Sequence, residues 1–150
     1  MTLDFDRLNA IARSWVGTPF RAGARERGRG VDCVQLVLAI LDEWLERPPL
    51  PAERFISPFS RYGDLEFVSG AFAADYRDVY TLVDFSARSG SIEPADVVGF
   101  RFGRVSHAGL CVDRRNMVHV VDGSGVTIER LGPARLSRVR RRYRLKTEAN

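Results

Sequence analysis

Gly30-Val31-Asp32-Cys33-Val34-Gln35-Leu36 is the stretch on which the fold turns: an approach rich in Arg and Gly stops there, and an apolar helical run begins at a cysteine. Asp32 suits an N-cap and Gln35 lies three residues on, a capping-box spacing with Asp in place of Ser or Thr. Cys33 is then the first residue of a helix. A thiol in that position faces unpaired N–H groups and the positive end of the helix dipole, which favour thiolate over thiol and make a nucleophile. The alternative is a small buried cysteine that only packs.

Toward the C-terminus, Val34, Leu36, Val37, Leu38, Ile40, Leu41, Trp44 and Leu45 are apolar nearly all round, which predicts a central, buried helix from Cys33 to Leu45. Pro48-Pro49-Leu50-Pro51 is expected to terminate it as a rigid connector, in preference to a docking ligand for a partner domain. Toward the N-terminus, Leu8, Ile11, Ala12 and Trp15 share one face at helical spacing, so a first helix is expected over residues 4 to 15, ended by Gly17-Thr18-Pro19. Residues 52 to 90 are the least legible, with a helix expected around Gly63 to Asp75 and a short strand near Val79 to Val83. Beyond Ser89-Gly90-Ser91 and Glu93-Pro94 come short β-type runs: Asp96 to Phe102, Ser106 to Val112, Met117 to Val121, Val126 to Leu131 and Arg138 to Leu145. Helices first and strands later predict an α+β fold, N-terminal helices packed on a C-terminal antiparallel β-sheet.

With 150 residues and 45% hydrophobic content, the chain is expected to form a single domain over residues 1–150. Neither a signal-peptide-like stretch nor a run long enough to span a membrane is evident, so synthesis in the cytoplasm and no membrane insertion are expected. Cys33 and Cys111 are accordingly expected as free thiols. The net charge of +4 is concentrated in the loop Arg21 to Arg29 and the tail Arg135 to Lys146.

The two histidines, His107 and His119, fall on successive β runs joined by the turn Asp113-Arg114-Arg115-Asn116. Neighbouring antiparallel strands bring such positions side by side. In the catalytic reading His107 takes the Cys33 proton and later protonates the leaving amine, while His119 fixes the tautomer and orientation of the first ring. In the structural reading both rings are satisfied by backbone partners. A zinc site from Cys33, His107, His119 and Cys111 lacks close paired-ligand spacing, so neither metal nor other cofactor is expected.

Trp15-Val16-Gly17-Thr18-Pro19-Phe20, Val31-Asp32-Cys33, Pro94-Ala95-Asp96-Val97-Val98-Gly99-Phe100, His107-Ala108-Gly109-Leu110 and Val118-His119 together resemble the NlpC-type papain-like cysteine peptidases of bacterial cell-wall turnover. The resemblance spans roughly Ile11 to Val121. It implies Cys33 as nucleophile, His107 as base, His119 as the polar third member, and a peptidoglycan stem peptide cut at a bond following D-Glu, without metal. Among such enzymes the chain looks like the cell-wall peptidases of phage tails and gene transfer agents, which implies a cytoplasmically made virion-type component whose partners are neighbouring tail or baseplate proteins. A cytosolic muropeptide-recycling peptidase is the competing placement. Phe20 stands where many such enzymes have Tyr, and Val34-Gln35 where they have Ser-Gly, so substrate preference is expected to be read at Phe20, Val34 and Gln35. Asp32 is placed to meet a substrate amine in addition to capping.

Strand alternation in the tail puts Arg138, Arg140, Arg142, Arg144 and Lys146 on one face and Val139, Arg141, Tyr143 and Leu145 on the other. The cationic face reads either as a charged outer strand or as a grip for wall polyanions or a neighbouring tail protein. Nucleic acid is not expected as a partner, since only Tyr143 supplies an aromatic in the strip. The loop Arg21 to Gly30 reads equally as a solvated loop or as a holder of a substrate carboxylate. A different class of function is a structural tail-tip or baseplate subunit that keeps the fold without hydrolysis.

Overall fold

Asp4 starts the first helix by accepting the Arg7 N–H, and Asp32 starts the second by accepting that of Gln35. The computed structural model describes residues 3–49, 72–83, 91–102 and 105–146. In chain order the elements are α1 (Phe5–Ser14), β1 (Arg25–Glu26), β2 (Gly30–Val31), α2 (Cys33–Trp44), β3 (Tyr80–Val83), β4 (Val97–Phe102), β5 (Val105–Cys111), β6 (Asn116–Val121), β7 (Gly125–Arg130), α3 (Pro133–Leu136) and β8 (Val139–Leu145). Residues 72–75 are also helical. The helix expected from Gly63 otherwise lies outside the described residues.

The main sheet has six antiparallel strands in the order β3-β8-β4-β5-β6-β7. This is the α+β architecture expected from helices first and strands later. Alternation divides the sheet residues between two apolar layers. On one face Val97, Leu110, Val118, Val120, Tyr143 and Leu145 join α1 and α2 in the larger core, which includes Leu36, Ile40 and Leu41. On the other, Val98, Phe100, Cys111, Met117 and Val139 pack with Ile92 and Leu131. Each fully buried Leu or Ile contributes about 1.5–3 kcal/mol relative to exposure, so α2, buried nearly all round, anchors the first layer.

Three expectations are corrected. The prolines at 48 and 49 do not end α2. The helix stops at Trp44, where Glu46 takes a left-handed φ of 55° and Arg47 N–H bonds back to the Asp42 carbonyl at 2.8 Å, a Schellman-type ending. The Arg- and Gly-rich loop is a built hairpin, β1 against β2, with Gly28 N–H on the Thr18 hydroxyl and the Arg27 guanidinium 4.9 Å over the Trp15 ring.

The third correction concerns the tail. β8 is an interior strand between β3 and β4, and its register shifts opposite Gly99 and Phe100, so the alternation changes phase. Val139 consequently packs in the second layer, away from Tyr143 and Leu145. Arg142 is buried and donates to the Ser91 carbonyl at 2.7 Å, while Arg144 grips the buried Asp96 carboxylate at 3.0 and 2.9 Å. The strip is therefore not an open cationic face.

Candidate active site

Cys33 opens α2 because both oxygens of Asp32 are committed to the backbone: Oδ1 accepts from Gln35 N–H at 2.8 Å and Oδ2 from Gly23 N–H at 2.8 Å. The cap accepts from the Gln35 amide and draws on that of Val34, while the amides of Cys33 and Val34, which the helix itself cannot pair, also bear on the Cys33 sulfur. A third N–H reaches the same atom from Ala108. That contact depends on a local feature of the sheet. The β5–β6 ladder covers only Leu110↔Val118 and Cys111↔Met117, and just beyond it the thiol sits against the His107–Ala108 peptide.

Burial overrides the helix start in setting the thiol's resting state. Cys33 is 6% exposed, and desolvation, with the Asp32 carboxylate beside it, pushes its pKa up to about 12 against the pull of the three N–H groups. The thiolate expected from the dipole alone is not the resting form. Asp32 is itself pushed up by burial, opposed by the N–H bonds it accepts and by Arg25.

His107 and His119 meet across the opened ladder, Nε2 of the first 2.8 Å from Nδ1 of the second, with the rings edge to face at 69°. Phe100, the cross-strand partner of His107, lies 5.8 Å from it between ring centroids. Desolvation, then the neighbouring His119, lowers the His107 pKa to about 4. His119 is buried and is also lowered by desolvation, with Glu129 opposing. Both rings are therefore neutral near pH 7, and the pair with Cys33 rests as thiol and imidazole.

The line continues past the histidines. Glu129 Oε2 lies 3.5 Å from His119 Nε2, and the same carboxylate holds Arg135 of α3 and accepts from Thr127 Oγ1 at 3.1 Å. Arg135 and the desolvation it offsets set the Glu129 pKa, the hydrogen bond from Arg135 prevailing and lowering it.

Around this line the other expected residues divide. Phe20 bridges to Val31, and Phe20 and Val34 are partly buried against the larger core beside the helix start. Gln35 turns inward: it is 0% exposed and its Oε1 accepts from Arg25 Nε at 2.9 Å and Nη2 at 2.6 Å. Gln35, expected at the substrate, is thus engaged in holding Arg25. Cys111 packs in the second layer, where burial pushes its thiol up. Among the described residues no group of three or more His, Cys, Asp and Glu could hold a metal ion, and no helix is long and apolar enough to cross a membrane.

No family profile and no curated protein matches the chain. A solved structure does: the NlpC/p60 domain of the peptidoglycan hydrolase SagA, with a TM-score of 0.59 at 13% identity, covering 93% of this chain and 97% of that one. The fold is that of an NlpC/p60 domain. In this NlpC/p60 fold the three residues chosen from the sequence, Cys33, His107 and His119, come together at the start of α2 and the open end of the β5–β6 ladder. Glu129 was not among them. Its only sequence signal is a strand position of the same parity as Thr127, and Thr127 faces His119 only once the β6–β7 register is known.

Proposed function

We propose that the chain is a cysteine peptidase that hydrolyses peptidoglycan stem peptides. The observation that carries the reading is a helix-start thiol held by the Ala108 N–H, next in the chain to His107, with the His107 and His119 rings edge to face and 2.8 Å apart between nitrogens; the fold likeness to the domain of a peptidoglycan hydrolase supports the substrate class. With Nε2 of His107 engaged by His119, Nδ1 takes the thiol proton as Cys33 Sγ attacks the scissile carbonyl carbon. The resulting oxyanion forms beside the Cys33 and Val34 amides, which are fixed by the helix and need no reorganisation. His107 then gives its proton to the leaving amine, and a thioester remains on Cys33. Water, deprotonated by His107, releases the acyl group and restores the thiol. Asp32 and Val34 flank Cys33 in the chain and Phe20 bridges to Val31, and these three are the proposed substrate contacts.

A bond following D-Glu and a place on a phage-like tail or gene transfer agent particle complete the proposal; both rest on the sequence resemblance. The test is incubation of the purified protein with peptidoglycan sacculi and defined stem peptides, followed by mass spectrometry of new termini. Cleavage after D-Glu that disappears in Cys33→Ala is expected. Intact peptides at stoichiometric wild-type protein would leave the non-hydrolytic subunit standing, and co-purification with particles tests the placement.

A further inference from the structure

His119 Nε2 is buried and, among the described residues, has no hydrogen-bond partner. A neutral imidazole with one nitrogen on another ring can carry its proton on either nitrogen, and the choice decides which ring donates to which. A carboxylate stands close to His119. Glu129 Oε2 stands 3.5 Å from His119 Nε2, and Glu129 is itself held by Arg135 from α3 and by Thr127 from its own strand. A carboxylate fixed from two sides at the buried end of a histidine pair cannot donate; it can only accept. Contacts of this sort are commonly long in the unliganded state and tighten when the reacting groups engage.

We propose that Glu129 is a positioning residue which keeps the His119 proton on Nε2, so that Nδ1 of His119 accepts from His107 Nε2–H and the His107 lone pair is left on Nδ1, toward Cys33. The inference rests on the reading of Cys33 and His107 as the reacting pair. It deepens that reading from three residues to a directed line of five, with Arg135 balancing the Glu129 charge. Without Arg135, an isolated carboxylate behind His119 would favour imidazolium over imidazole and so remove the base. Without Glu129, the proton on His119 has no fixed site and the lone pair on His107 is directed by chance. Among the described residues, the charged groups that act on the two rings are Glu129 and Arg135, and Cys33, with the Asp32 carboxylate beside it, lies against the peptide between His107 and Ala108.

The experiment follows the imidazole nitrogens by NMR in the full chain labelled with 15N-histidine, alongside peptide turnover. In the wild type His119 should be protonated on Nε2 and His107 likewise. Glu129→Ala should mix the His119 tautomers and lower kcat by about 10- to 100-fold, the range for an outer hydrogen-bond partner, with KM unchanged. Glu129→Gln keeps an acceptor oxygen, and should retain the tautomer. The titration of the two rings should move down in Glu129→Gln and up in Arg135→Met, because one variant removes a negative charge and the other a positive one. Tautomers and titrations unchanged in a folded Glu129→Ala would overturn the proposal; should that variant not fold, shifts of the same sign in Glu129→Gln and Arg135→Met would do so. If the wild type cleaves no peptide, the peptidase reading fails, and the nitrogen shifts still decide the role of Glu129.

Discussion

A thiol held near 12 beside an imidazole near 4 gives proton transfer a direction opposite to that of a preformed ion pair. In the proposed mechanism the base is His107, which must be neutral to act, and its folded pKa lies below the ordinary 6.5. Activity is therefore expected to hold level from pH 8 down through 6.5 and to fall only as pH drops toward 4, read as kcat/KM against pH; an acid limb centred at 6.5 or above would contradict it. By the same logic iodoacetamide should alkylate Cys33 about tenfold faster per pH unit from 6 to 9, with no plateau, since the thiolate fraction sets the rate. Cys111, 0% exposed, should stay unlabelled until the protein unfolds. His107→Ala should reduce kcat by about 10³-fold or more, whereas His119→Asn should retain measurable turnover because an amide oxygen still accepts from the first ring. Equal losses in the two variants would remove the distinction between base and orienter. The positions of these side chains were legible at Cys33, where cap and apolar run coincide in sequence, and at the two histidines, where strand spacing suffices. The resting protonation was not, because burial is a property of the packed chain and no local pattern encodes it.

Two turns illustrate how elements hold this site in place. Gly125, with φ +72°, brings β7 against the segment after α1, and a Cβ built there would lie 2.9 Å from the Thr18 carbonyl oxygen. That carbonyl accepts from Val126 N–H at 2.9 Å, and Gly17 N–H returns to the Val126 carbonyl at 3.0 Å. Gly125→Ala should thus cost about 2–3 kcal/mol, backbone strain and displaced carbonyl together, measured by urea denaturation; a loss below half a kcal/mol would show that the segment yields freely. Glu46 is the converse, an exposed non-glycine residue in the left-handed region at the end of α2. Glu46→Gly should stabilise by about 0.5–1 kcal/mol, and unchanged stability would place the helix end elsewhere. The sequence reading located every strand from β4 to β8 within a residue because alternation and turn signals agree there. It places the end of α2 within a residue, at Leu45 against Trp44, but assigns it the wrong cause, since prolines are conspicuous and a left-handed Glu is not. An unbroken period of two predicts a single cationic tail face, and the shift opposite Gly99 and Phe100 that breaks it is decided by the partner strand.

At the scale of the molecule, the depressed histidines tie stability to pH. Both take up a proton more readily in the unfolded chain, so their contribution is full above about 6.5 and is lost as pH falls from there toward 4. The urea midpoint should decline over that window, and decline less in the double variant His107→Gln/His119→Asn; equal slopes would show that neither ring is depressed. Strand order was beyond the sequence, because adjacency in a sheet is a long-range choice that no segment specifies alone. That order places β8 between β3 and β4, with Tyr80 paired to Leu145 and Val97 to Tyr143. A growing chain that has not yet released residues 139–145 from the ribosome has β3 and β4 with nothing to join them. An interior strand, the one next to the β3 edge, follows all its sheet partners in the chain, so the edges of β3 and β4 that it will cover stand open until it emerges, to any extended segment that reaches them first.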